Sequence, residues 1–182
     1  MSNLAQYLFK IVSIGSAGVG KTSLIRRFAQ GKFQQSYLPT LGVDITTKEV
    51  NVDGVDVKLI CVDTAGQEYF GKLRGTYYRG ANGCLLVFDL TRTPTFKACP
   101  GWLNEFRMNL VEHERIPLVL LGNKSDLAEK GSREVTSEEI KLLCEQQGLS
   151  YYETSAKIGN NIEDAFQELA TRILTLQTSS KQ

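Results

Sequence analysis

The sequence predicts an α/β fold in which helices cover both faces of a mostly parallel sheet. Five short apolar runs alternate along the 182 residues with segments of helical periodicity, a pattern typical of this class. The pair Asp53-Gly54 lies between two stretches of alternating apolar residues and is typical of a tight β-hairpin. We therefore expect one domain with a six-stranded sheet, one antiparallel edge strand and about five helices.

The strand predictions depend on apolar runs of core-strand length. These runs cover 8–14, 55–62, 84–88, 118–121 and 149–152, and the sixth strand precedes the hairpin turn. None approaches the roughly 18 apolar residues that a membrane helix needs. A C-terminal helix is predicted from one apolar stripe, formed by Ile162, Ala165, Phe166, Leu169, Ala170, Ile173 and Leu174. We expect a domain over 1–177 and a flexible tail over 178–182.

A glycine-rich segment, Gly15-Ser-Ala-Gly-Val-Gly20-Lys21-Thr22, follows the first predicted strand and precedes a helix. In that position it matches the P-loop, whose backbone N–H groups converge on phosphate oxygens. Lys21 would add a cation, and the Thr22 hydroxyl would bind Mg²⁺. The candidate nucleotide-binding residues of this segment are Gly15, Ala17, Gly18, Val19, Gly20, Lys21, Thr22 and Ser23.

A second motif, Asn123-Lys124-Ser125-Asp126, follows a buried strand, at the edge where α/β sheets bind ligands. Asp126 can accept hydrogen bonds from N1–H and the amino group of guanine, whereas adenine presents an acceptor at N1. This difference favours GTP over ATP. Ser155-Ala156-Lys157 follows another strand, and its backbone amide can bind the guanine carbonyl, although the same three residues also suit an ordinary loop.

A third motif, Asp63-Thr-Ala-Gly66-Gln67, also ends an apolar strand. A carboxylate there can hold a water ligand of Mg²⁺, and a glycine amide can approach the γ-phosphate. Together with two other stretches, Thr76-Tyr-Tyr-Arg-Gly-Ala81 and Leu85-Leu-Val-Phe-Asp89, these motifs occur in the order of a known family.

The chain resembles a Ras-superfamily small GTPase across essentially its whole length, and is most similar to the Rab branch. The resemblance implies a three-layer G domain that binds GTP or GDP with Mg²⁺. It implies catalytic roles for Gln67, Lys21, Thr40 and Gly66, and a metal site of Thr22, Thr40 and, through water, Asp63. It also implies that Phe33 packs on the edge of the guanine and that Lys124 and Lys157 flank the base.

The resemblance further implies a slow GTP-hydrolysing switch whose loops 33–45 and 63–80 bind effector, exchange-factor and GTPase-activating proteins. The alternative is a nucleotide-stabilised binding module without catalysis, and a third reading is an ATP-dependent P-loop kinase. Ile45 and Val62 stand where Rab proteins usually carry aromatic residues of the effector-facing surface. Ala17 lies where an activating protein's arginine would enter, so we expect stimulated hydrolysis to be weaker or differently arranged.

The overall composition limits the classes of partner and the cellular location that we expect. A formal net charge of +1 does not favour nucleic acid. The four cysteines form no C-x-x-C pair, which favours buried, reduced thiols. We expect a cytoplasmic monomer, with the cytosolic face of membranes as a second possible location. Because the last cysteine is Cys144, the chain as given lacks a prenylation site, and membrane association is expected to be indirect.

Overall fold

The computed structural model describes residues 7–34, 40, 42–66, 71–110 and 116–179. Within them, six strands form one sheet in the order β2-β3-β1-β4-β5-β6. The strands are β1 Tyr7–Ile14, β2 Val43–Val52, β3 Val55–Thr64, β4 Gly83–Asp89, β5 Leu118–Asn123 and β6 Ser150–Glu153. All neighbours are parallel except β2 and β3, so the predicted mixed sheet is confirmed.

The antiparallel edge strand arises from the predicted hairpin. Val52 pairs with Val55, and the two residues between them, Asp53 and Gly54, have φ of 50° and 85°. Positive φ at both central residues gives a turn whose twist matches that of the flanking strands, and Asp-Gly tolerates it. The local sequence thus determines where β2 turns back along β3.

Seven helices in the described chain cover the two faces of the sheet. They are α1 Lys21–Gln30, α2 Gly71–Tyr78, α3 Thr93–Lys97, α4 Cys99–Met108, α5 Ser125–Leu127, α6 Ser137–Gln147 and α7 Ile162–Ser179, and a wider turn over Ala128–Ser132 continues α5. Five of them have eight or more residues, in agreement with the expected number.

Two apolar cores lie between the layers. On one face α1 and α7 pack against the sheet, and all seven residues of the predicted α7 stripe are buried. On the other face α2, α3, α4 and α6 enclose the second core. The predicted capping box begins α6, where Thr136 accepts from the Glu139 N–H and the Glu139 carboxylate accepts from the Thr136 N–H. The three layers expected from sequence are therefore present.

Helix α7 continues past residue 177, the predicted end of the domain. The helix extends to Ser179, and the hydroxyls of Thr178 and Ser179 donate to the Leu174 and Thr175 carbonyls. Both residues belong to the predicted flexible tail, and both are helical in the structure. Residues 180–182 lie outside the described residues, and the domain limits stay a prediction.

Among the described helices, none combines the length and the apolar character that crossing a bilayer requires.

The four cysteines are free, with Cys61, Cys84 and Cys99 buried and Cys144 half-buried. Burial raises the pKa of the Cys61 thiol to about 12, so this thiol stays protonated and unreactive at neutral pH.

Candidate nucleotide-binding site

The predicted site residues lie at the carboxyl end of the sheet, beside β1. In the strand order, β2 and β3 lie on one side of β1, whereas β4, β5 and β6 lie on the other side. Such a switch in direction opens a crevice where α/β sheets bind ligands. The loop after β1, the end of β3 and the loops after β5 and β6 therefore meet at one place, as the motifs predict.

The loop between β1 and α1 encloses the side chain of Lys21. Its ammonium donates to the Gly15 carbonyl at 2.7 Å and to the Ser16 carbonyl at 3.0 Å. The residue is only 5% exposed, so its charge lies inside the loop instead of in bulk water. A buried cation surrounded by the loop attracts anions strongly, because the low local polarity weakens screening.

Glycine is required at two positions of this loop. Gly15 has φ of 136°, and a Cβ on it would lie 2.1 Å from the Val87 carbonyl oxygen. Gly20 has φ of 101°, and a Cβ there would lie 2.3 Å from Asn123 Nδ2. The glycines thus let the loop pack against β4 and against the loop after β5.

Gly66 brings the segment after β3 against the same loop. A Cβ on Gly66 would lie 2.6 Å from the Ala17 nitrogen and 2.6 Å from Lys21 Nζ. Its own backbone therefore lies close to the centre of the loop. This is the position expected of a residue whose amide reaches a terminal phosphate held there.

Three oxygen side chains meet at the start of α1. Thr22 Oγ1 donates to Asp63 Oδ2 at 2.5 Å and lies 2.8 Å from Thr40 Oγ1, and Thr40 Oγ1 lies 3.4 Å from the same Asp63 oxygen. Hydroxyl and carboxylate oxygens are the ligands that Mg²⁺ prefers. The donor set thus fits the magnesium site expected from sequence.

Asp63 is 2% exposed, and its burial disfavours the charged form of the carboxyl. Loss of water raises the pKa of this carboxyl, while the Thr22 hydrogen bond and the charge of Lys21 oppose the rise. A carboxylate held away from water gains stability from a nearby cation. A divalent ion bound at the three oxygens would supply that charge.

The predicted base-binding residues are joined by hydrogen bonds. Asn123 Nδ2 donates to the Val19 carbonyl at 2.8 Å, and Asn123 Oδ1 accepts from the Ala156 N–H at 3.3 Å. Asp126 Oδ1 accepts from Ser155 Oγ at 2.6 Å. Asn123 therefore holds the phosphate loop to the loop after β6, and Ser155 orients the carboxylate predicted to recognise guanine.

The remaining predicted site residues have the following positions in the structure. Lys124 has φ of 68° and its Nζ lies 2.6 Å from Asp89 Oδ2. Phe33, shortly after α1, is 38% exposed. Lys157 is exposed, and Ser23 lies half-buried in the first turn of α1. Gln67, the predicted catalytic glutamine, lies outside the described residues.

Sequence reasoning missed several residues that support the site. Arg27 of α1 donates to the Ala156 carbonyl at 2.9 Å and also to the Lys157 carbonyl, so it holds the loop after β6. Trp102 Nε1 donates to Ser16 Oγ at 3.3 Å. Asp89 is the last residue of β4, at the ligand-binding edge of the sheet. That position is the sequence signal that could have identified it as a residue of the site.

The two positions that depart from the Rab pattern lie opposite one another. Ile45 of β2 pairs with Val62 of β3. The Ile45 side chain is 56% exposed, whereas that of Val62 is buried in the second core. Of the two, Ile45 is the one presented to solvent in this structure.

Comparison with known proteins agrees with these features. The family model described as "Ras family" matches residues 10–175. The chain is 45% identical to human Ras-related protein Rab-30 over 169 residues, which covers 93% of this chain and 81% of that protein. It is 44% identical to Ras-related protein YPTC6 of Chlamydomonas reinhardtii over 92% of this chain and 76% of the relative. Identity to Ras-related protein Rab-11C of Dictyostelium discoideum is 42%, over 97% and 77%.

The fold and the loop after β1 define a P-loop α/β protein of the kind that binds nucleoside triphosphates. The match over most of its length identifies the family: the chain belongs to the Ras family, with Rab-related proteins among its relatives. Members of this family are small GTPases that bind GTP or GDP together with Mg²⁺.

Proposed function

We propose that the protein is a GTP-hydrolysing switch that recruits partner proteins through 33–45 and 63–80 in its GTP form. The observation that carries the proposal is the meeting of Thr22, Thr40 and Asp63 beside buried Lys21. These three oxygens come from the phosphate loop, the segment before β2 and the end of β3. Binding of a metal and a triphosphate at this point would hold three otherwise separate segments together.

The proposed roles follow from charge and position. Lys21 and the loop amides bind the phosphates, and Thr22 with Thr40 and, through water, Asp63 would hold Mg²⁺, which neutralises charge on the phosphate oxygens. Gly66 donates its N–H to the γ-phosphate, and Gln67 orients the attacking water. The protein itself performs little covalent chemistry, so hydrolysis is slow unless an activating protein supplies an arginine.

Two contacts to the γ-phosphate account for the switch. Hydrogen bonds to charged groups contribute about 1.5–3 kcal/mol each, so Thr40 and Gly66 together give roughly 3–6 kcal/mol of preference for GTP over GDP. Moving a two-state equilibrium from 1:99 to 99:1 requires about 5.5 kcal/mol. The two contacts approach that range before the cost of ordering the loops is subtracted.

Base recognition rests on Asp126, with the Ala156 amide for the guanine carbonyl and with Phe33, Lys124 and Lys157 around the ring. Ser155 fixes one carboxylate oxygen of Asp126, which leaves the other for the guanine donors. A competition assay tests this proposal, because ATP should fail to displace bound GDP where GTP succeeds. Equal displacement by both would favour the ATP-dependent kinase.

Single-turnover hydrolysis tests the enzyme. Purified wild-type protein loaded with GTP and Mg²⁺ should release phosphate slowly, and Gln67→Leu should bind GTP but release phosphate about 10²-fold more slowly, as for loss of one positioned catalytic group. Gln146→Leu, at an exposed site of α6, is the matched control and should behave as wild type. GTP that stays bound without hydrolysis in the wild-type protein would instead indicate a non-catalytic binding module.

Partner recruitment is tested by a pull-down with GDP-loaded and GTP-analogue-loaded protein. A partner that needs the GTP form should be retained only by the second. Ile45→Asp, at the exposed edge strand, should reduce retention without changing nucleotide affinity. Equal retention by both nucleotide forms would contradict the switch.

A further inference from the structure

Arg92, directly before α3, lies against the phosphate loop. Its Nη2 donates to the Ala17 carbonyl at 3.1 Å, and a Cβ built on Gly18 would lie 3.4 Å from its Nη1. The guanidinium is therefore beside the peptide that joins Ala17 to Gly18. It is half-exposed, so it reaches the loop from the solvent side.

The orientation of that peptide is important for anion binding. A trans peptide is planar, and its C=O and N–H point in opposite directions. With the Ala17 carbonyl directed at Arg92, the Gly18 N–H is directed away from it. No backbone carbonyl in the described part of the chain accepts a hydrogen bond from this N–H, which leaves it for a ligand of the loop.

A buried carboxylate lies beside Arg92. Asp89 is fully buried, and its Oδ1 accepts from the Thr91 N–H at 2.9 Å and from the Thr91 hydroxyl at 2.7 Å. Its Oδ2 lies 3.8 Å from Arg92 Nε and 2.6 Å from Lys124 Nζ. One oxygen thus faces two cations, one at the phosphate loop and one at the predicted base site.

We propose that Arg92 is a positioning residue that holds the Ala17–Gly18 peptide with its N–H directed at the nucleotide phosphates, and that Asp89 anchors it. A charged donor on the carbonyl polarises the peptide and strengthens the N–H as a donor. The inference rests on the proposed function, since it assigns a task in binding the phosphates of the same nucleotide. It predicts that the effect of Arg92 depends on the presence of phosphates.

The test compares GDP with guanosine, which keeps the base and lacks the phosphates. Arg92→Ala should raise the dissociation constant of GDP about tenfold, equivalent to about 1.4 kcal/mol, and change that of guanosine by less than about twofold. Arg92→Lys keeps the charge without the planar fork and should recover part of the loss. Arg107→Ala, an exposed arginine of α4 bound to Gln147, is the matched control and should leave both constants unchanged.

The anchor is tested by a double-mutant cycle. If Asp89 holds Arg92, the fold-increase in the GDP dissociation constant caused by Arg92→Ala should shrink to less than half in the Asp89→Asn background. If the two substitutions raise the GDP dissociation constant independently, so that their fold-changes multiply, the role of Asp89 is overturned. Should Asp89→Asn fail to fold, Thr91→Val, which removes one hydrogen bond from the carboxylate, takes its place in the cycle.

The outcomes separate this inference from the proposed function. A wild-type protein that binds neither GDP nor GTP would refute both. If the wild-type protein binds GDP and Arg92→Ala has the same GDP dissociation constant, the inference alone is refuted. An equal loss for GDP and guanosine would show a general structural role and would also overturn it.

Discussion

The Thr22 hydroxyl donates to Asp63 Oδ2 at 2.5 Å, across 41 residues of sequence. This bond joins the first turn of α1 to the end of β3. Both residues are predicted Mg²⁺ ligands, Thr22 directly and Asp63 through water, so the contact brings the two parts of the proposed metal site together. Thr40 completes the group from a third segment. The site is therefore assembled by the tertiary fold and not by any one motif.

The hydroxyl of Thr22 should determine the metal dependence of binding. Thr22→Asn is expected to weaken Mg²⁺-dependent GTP binding by about tenfold or more, the scale seen when even a supporting group of a metal site is removed, and to weaken GDP binding less. Dissociation constants with and without EDTA measure this. Thr22→Ser keeps the oxygen and should stay near wild type. An equal loss for GTP and GDP would count against the metal role of Thr22.

The buried charge of Asp63 should reduce stability when no cation is bound. Burial raises the pKa of this carboxyl, which means that the charged form is disfavoured in the folded protein. In EDTA, Asp63→Asn of the GDP-loaded protein should therefore unfold at a higher temperature than wild type, by about 2–4 °C for each kcal/mol recovered. Addition of Mg²⁺ should stabilise wild type and have little effect on Asp63→Asn.

A matched control for this change lies in the hairpin. Asp53 is exposed and has φ of 50°, a conformation that asparagine also tolerates. Asp53→Asn should leave the unfolding temperature unchanged with and without Mg²⁺. A wild-type protein whose unfolding temperature is insensitive to Mg²⁺ would contradict the assigned metal site.

How far the sequence predicts this structure depends on the range of the interaction. The Asp53-Gly54 turn and the capping box at Thr136 are local, because the residues that form each lie within a few positions of one another. The contact of Arg27 with Ala156 spans 129 positions and that of Arg92 with Ala17 spans 75. No local pattern records which loops meet, so these supporting arginines were not predicted.

The motif residues were predictable for a different reason. The chemistry of phosphate, metal and guanine limits which side chains can bind them, and the carboxyl ends of neighbouring parallel strands meet at one edge. That reasoning placed Asp63 and Asn123 near the loop after β1. It did not show that Asn123 binds the protein itself, through Val19 and Ala156, because the motif alone does not determine which groups the Asn123 side chain faces.

Asn123 should therefore act on the nucleotide through the two loops that it joins. In Asn123→Asp a carboxylate oxygen would replace the amide donor and face the Val19 carbonyl, leaving two acceptors opposed in a buried position. Such a defect costs about 1–3 kcal/mol, or a loss of GDP affinity of about 5- to 150-fold. Asn104→Asp, exposed on α4, is the control. Unchanged GDP dissociation in Asn123→Asp would exclude this bracing role.

Asp126 should determine the choice of base. The residue is 8% exposed and its carboxylate is held by Ser155, so the carboxylate accepts hydrogen bonds in a fixed direction. Guanine offers donors at N1 and at its amino group, whereas xanthine carries a carbonyl in place of that amino group. Asp126→Asn supplies a donor at this point, and should lose GDP affinity by about 10²-fold or more while gaining affinity for xanthosine diphosphate.

Competition between GDP and xanthosine diphosphate measures this exchange directly. Ser155→Ala is the informative comparison, because it removes the hydroxyl that orients Asp126 and keeps the carboxylate. It should weaken GDP binding by less, about tenfold for one hydrogen bond to a charged group, and should not improve xanthosine diphosphate. If Asp126→Asn lost both nucleotides equally, Asp126 would serve the loop structure, and recognition of guanine would have to be assigned to the backbone after β6.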